Sequence, residues 1–185
     1  LAGLAKRRDV VSFRSKPSLH LHLGGDAMRP GELKGRGVLM AGGATMPEGS
    51  LEELAMELNL GDPDGIAGSL RIIGLATATA KIGSATATIT APQSITNAVP
   101  ARIDFELALG QVTAAKTAVE SVELSGSLAG AGSPPETDEG WAYWAKLAPY
   151  VADFSGLARG ITGEKGLAIR EVSLAGAWRA PRLAL

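Results

Sequence analysis

Two histidines, His20 and His22 in the run LHLHL, are the residues of this sequence best suited to metal or acid–base chemistry. In an extended strand, residues two apart share a face with their side chains roughly 7 Å apart, a spacing that suits a shared metal ion. A third ligand would be required, and Asp26 is the nearest candidate. The plainer reading points Leu19, Leu21 and Leu23 at a core and both imidazoles at solvent, so no metal is expected. Any histidine-based catalytic site would have to be built at this one spot, because the chain has no other histidine. It also has no cysteine, which removes disulfides, thiolate nucleophiles, zinc ribbons and iron–sulfur ligation.

The glycine-rich segments do not make phosphate sites. GELKGRG (31–37) lacks the spacing of a dinucleotide fingerprint, and GITGEKG (160–166) has no GxxxxG frame ahead of its lysine. DPDG (62–65) carries two carboxylates but none of the further ligand positions of a calcium loop, and reads as a turn. Nothing marks a catalytic residue, and no enzyme and no cofactor are expected.

These residues must be positioned by a chain of 185 residues with formal charge −1, 45% hydrophobic, 4% aromatic and 24 glycines. That is enough for one domain with a real core, built from small aliphatic material. No run reaches the roughly 18 to 20 apolar residues of a membrane-spanning helix. The chain opens on Leu1 with no signal-peptide pattern, and is expected to be a piece of something longer or a processed product. Residues 1–36 hold eight basic side chains against three acidic, whereas 48–64 hold six acidic and no basic ones. Phe13 is the one aromatic near the basic cluster, so solvated ends are expected there rather than nucleic-acid binding.

Period-two alternation dominates. Leu19, Leu21 and Leu23 alternate with Ser18, His20 and His22; Ile103, Phe105, Leu107 and Leu109 alternate with Arg102, Asp104, Glu106 and Ala108. Leu54, Met56, Leu58 and Leu60 do the same, although Ser50-Leu51-Glu52-Glu53 could also open a short helix as a capping box. Four apolar residues in strict alternation favour a strand. Further strands are expected near 34–40, 69–76, 83–91, 119–128 and 167–178. In 83–91 the threonines 86, 88 and 90 share one face, and Ala85, Ala87, Ile89 and Ala91 the other. Turn residues at short intervals (Gly24-Gly25, Arg29-Pro30-Gly31, Gly42-Gly43, the run 61–65) predict an antiparallel meander. Pro92 and Pro100 bracket a connection.

One segment departs from this pattern. Trp144, Leu147, Val151, Phe154 and Ala158 recur at spacings of three and four, Glu136, Asp138 and Glu139 precede them, and Gly160 follows. This predicts a helix near 138–159, kinked at Pro149, whose aromatic stripe plugs the sheet. The predicted fold class is therefore mainly β: an antiparallel meander sheet curled into a groove or sandwich, with one kinked helix. Its parts are a basic segment 1–18, a β region 19–130, and a helix with returning strands over 131–185.

Several segments share a theme of an alternating strand ending in small residues and glycine: LHLHLGG (19–25), MELNLGD (56–62), FELALGQ (105–111), VELSGSLAG (122–130) and VSLAGAW (172–178). This texture, running from Leu19 to Leu185, resembles the strand-rich periplasmic repeats of the AsmA-like superfamily, which includes the TamB and YhdP type of bridge proteins. The resemblance implies an envelope location, a membrane anchor outside this chain, neighbouring segments of a longer protein as partners, and lipid acyl chains held along an apolar β-groove. It carries no motif that assigns a functional residue. On the alternation, the groove lining would be Ile103, Phe105, Leu107 and Leu109 with Leu54, Met56, Leu58 and Leu60. The alternative is a closed β-sandwich or β-solenoid acting as a structural or assembly module.

Overall fold

A strand whose side chains alternate between apolar and polar gains most by lining up with others so that all the apolar positions share a face. The computed structural model describes residues 11–26, 34–61, 65–91, 102–130, 150–179 and 182–184, and there this alignment is carried through the whole chain. The strands are β1 (Ser12–Phe13), β2 (Ser18–Gly24), β3 (Lys34–Met46), β4 (Gly49–Gly61), β5 (Gly65–Thr77), β6 (Ala80–Ala91), β7 (Arg102–Ala114), β8 (Thr117–Gly130), β9 (Tyr150–Thr162), β10 (Ala168–Arg179) and β11 (Arg182–Ala184). All belong to one antiparallel sheet in which β3 to β10 follow chain order, β1 and β2 both pair with β3, and β11 pairs with β10. The two edges do not pair with each other, so the sheet is open.

The expected meander is thus present. The strands predicted near 34–40, 69–76, 83–91 and 119–128 run longer, to 12–14 residues each, because backbone pairing continues through the glycines that end the visible alternation. Ser50–Glu53, the capping-box candidate, lies in β4.

The predicted kinked helix is not formed where the structure can be described. Tyr150–Thr162 is strand β9, paired with β8 on one side and β10 on the other. The remainder of the predicted helix, 138–149, lies outside the described residues, as do the tryptophans 141 and 144. Among the described residues the one helical element is a single 3-10 turn, Glu164–Gly166. The propensity for a helix is weak where two flanking strands offer ladder partners to every backbone group of the segment.

The turns at one end of the sheet are tight. Thr77 Oγ1 accepts the Ala80 amide at 3.0 Å, and the Ala115 amide donates to the Thr79 carbonyl at 3.2 Å, tying neighbouring turns together. The β9–β10 connection closes on itself through Gly163 N–H to the Leu167 carbonyl at 2.9 Å.

Core formation differs from a sandwich. Among the described residues no large side chain is fully buried, and the buried apolar positions are four alanines: 41, 44, 91 and 152. One layer can bury side chains only sideways, against neighbours on the same face. Leu23 lies over Gly35, Leu58 and Ile89 over Gly68, and Phe105 over Gly126.

Candidate functional site

Strand register assembles the two series singled out above on one face. Leu54 pairs with Ile72, which pairs with Ala85, which pairs with Leu109. Met56 reaches Leu107 in the same way through Leu70 and Ala87, and Leu58 reaches Phe105 through Gly68 and Ile89. Leu60 and Ile103 extend the face one step further along their strands. Each row continues in both directions: Leu107 pairs with Leu124, then Gly156, then Leu174, while Met56 pairs with Leu39, then Leu19. Of the four rows so defined, three cross nine strands, β2 to β10, and the Leu54–Leu109 row crosses eight, β3 to β10; no described residue in them is charged.

At about 4.8 Å between strands and about 6.7 Å between alternate residues, four rows across nine strands span roughly 38 by 20 Å, on the order of 750 Å². That exceeds the apolar patches usual on monomeric proteins. Among the described residues nothing covers the face. Leu19, Leu21 and Leu23 are 66, 63 and 59% exposed, and Met56, Ile89, Val172 and Leu174 are also exposed.

The opposite face is polar and internally paired. Arg36 Nε lies 2.9 Å from Glu57 Oε1, and Asn59 donates to the same carboxylate at 3.1 Å. The Asn59 hydrogen bond, and after it that of Arg36, holds the Glu57 carboxyl below its ordinary value. Arg102 chelates Asp104 Oδ1 at 2.7 and 2.8 Å, which raises the guanidinium pKa. Arg159 bridges strands, with Glu123 at 3.4 Å and Glu171 at 3.2 Å. Ser125 and Ser155 hydroxyls share a hydrogen bond at 3.2 Å. A shallow hollow of about 800 Å³ is lined by Thr86, Thr88 and Ser125 of this side together with Leu124, Leu157 and Leu174. None of the described polar or charged residues is buried, so none is held in the desolvated setting that tunes a catalytic acid or base.

His20 and His22 lie on this polar face beside Val38 and Arg36, as their register partners require. Among the described residues no group of three or more His, Asp or Glu is placed to hold a metal ion. The carboxylates of DPDG and the first ten residues, with much of the basic cluster, lie outside the described residues. In GITGEKG, Gly160 is inside β9 and Gly163 begins the connection to β10.

Sequence reasoning missed the contributions of β5, β8 and β9 to the apolar face, including Leu70, Ile72, Val122, Leu124 and Phe154. Gly68, Gly126 and Gly156 occupy face positions in those strands and interrupt the apolar alternation as written; only the paired residues across the ladder reveal them. No family model, curated protein or solved structure matches the chain.

Proposed function

We propose that this chain is a segment of a non-catalytic, membrane-anchored periplasmic protein that holds or conducts lipid acyl chains along its apolar sheet face. The observation that supports this is the four-row face itself: large, uncharged and uncovered. Such a surface offers hydrophobic and dispersion contact without direction, so a bound acyl chain keeps its contacts when it slides by a methylene. Apart from Trp178 in β10, its described residues carry no side-chain hydrogen-bonding group for a headgroup, which favours the acyl part of a lipid. Neighbouring segments of the same longer protein would extend the sheet at its open edges.

A structural module is the second reading. What favours it is the way Leu23, Leu58, Ile89 and Phe105 fill the space above neighbouring glycines, which levels the face as sheet-on-sheet packing requires. The second layer would have to come from beyond the described residues.

Native mass spectrometry of the purified chain separates the two. Co-purifying phospholipid, displaced by detergent, supports the acyl-chain surface; a lipid-free chain that self-associates through this face supports the module.

A further inference from the structure

Four strands carry a residue with positive φ at corresponding positions: Gly43 (+61°) in β3, Gly74 (+63°) in β5, Gln111 (+54°) in β7 and Gly160 (+62°) in β9. The registers place Glu52, Gly83, Glu120 and Arg170 of the intervening strands opposite them, so the eight residues form one line across the sheet. Every ladder skips this line: pairing runs from Gly42–Glu53 directly to Ala44–Leu51, and from Gly110–Ser121 to Val112–Val119, with the register unchanged on either side. Side chains lie along it, Glu52 over Gly74, Gln111 over Gly83 and Glu120 over Gly160.

The pattern of burial slips by one residue at the same line. In β7 positions 103, 105, 107 and 109 are sheltered, with Asp104 and Gly110 half-buried as well, and then 112, while Gln111 and Thr113 are exposed. In β8 Val119 is sheltered and Glu120 exposed, with 122, 124, 126 and 128 sheltered beyond it, although 118, 121, 127 and 129 are half-buried as well. A left-handed residue rotates the chain by much less than the half-turn of an extended one, so the following side chains change faces.

We infer that this line is a crease that moves every strand's apolar series by one residue and brings a fifth row, Leu51, Leu75, Ile82, Val112, Val119 and Ile161 among it, onto the apolar face. The inference deepens the acyl-chain reading and rests on it only for the ligand: the lipid-contacting surface extends to the tight-turn end of the sheet. Unbroken alternation would instead put Val112 with Glu106 and Thr113 with Leu107.

The test places a photo-reactive benzoyl-phenylalanine singly at Glu106, Leu107, Val112 and Thr113, with tritiated phosphatidylethanolamine in mild detergent as the probe. Positions 107 and 112 are expected to take several-fold more label than 106 and 113. Label at 107 and 113 but not 112 overturns the crease and leaves the lipid reading standing. No label at any position overturns the lipid reading, and the crease is then decided by melting. Gly74→Ala, at positive φ, should melt several degrees below the wild type. Gly37→Ala, which lacks positive φ and where the new methyl would make only an ordinary 3.5 Å contact with Leu21, is the control and should melt near it. Equal melting of the two variants overturns the crease whatever the lipid result.

Discussion

Phe105 lies across Gly126, its register partner on the next strand, so that a methyl added at Gly126 would stand 2.8 Å from the phenyl Cζ. Phe154 is opposite Gly126 on the other side. The two phenylalanines, distant in sequence, thereby flank one glycine on the apolar face, and the added methyl would also meet the Asp153 carbonyl oxygen. Gly126→Ala is expected to cost about 1 to 3 kcal/mol, the range for forcing extra volume against backbone. Urea denaturation measures it, and an unchanged midpoint would refute the close approach.

Phe154→Ala tests how open this face is. A phenyl emptied from a closed core costs about 3 to 5 kcal/mol. Phe154 is only half-buried, in a strand with one uncovered side, so a loss of about 1 to 2 kcal/mol is expected from its partial apolar burial. A loss in the closed-core range would mean that another layer covers it.

Leu107→Asp discriminates in the same way by function. On an uncovered face the carboxylate keeps its water and the chain should fold, while bound phospholipid is lost because a charge among acyl chains costs several kcal/mol. The checks are circular dichroism for folding and lipid extraction for occupancy. An unfolded variant would place Leu107 in a dry core.

Glu57 gives a pH dependence of known sign. Its carboxyl is held below its ordinary value of 4.5 by Asn59 and Arg36, so its pairing contributes stability above the unfolded value and loses it as pH falls through the folded one. Comparing denaturation midpoints, wild type should exceed Glu57→Gln slightly at neutral pH and lose that advantage in acid. The effect is small because both partners are solvated. A difference that grows on acidification would contradict the pairing.

The misread helix has a local cause. In β9 the face positions are Ala152, Phe154, Gly156 and Ala158, then Ile161. With Gly156 silent, Phe154 and Ala158 stand four apart, and Val151, from the other side of the strand, stands three before Phe154, so the three imitate the spacing of a helix face. A strand with a glycine at a face position therefore imitates the 3.6-residue period. By contrast β2, β4 and β7 were legible because each keeps an apolar side chain at every second position up to the crease.

The sequence by itself determined the strand character outside β9, the antiparallel meander and the sorting of β2, β4, β6 and β7 into an apolar and a polar side, since alternation and turn residues are local properties that act within a few residues. It also restricted the chemistry, through two histidines and no cysteine. Only the tertiary structure decided that the series in β4 and β7 share a face, that glycines in one strand are seats for leucine and phenylalanine in the next, and that the positive-φ residues fall on one line. These depend on register, and register is a relation between strands: a slip of one residue would leave every local pattern unchanged and exchange the two faces throughout.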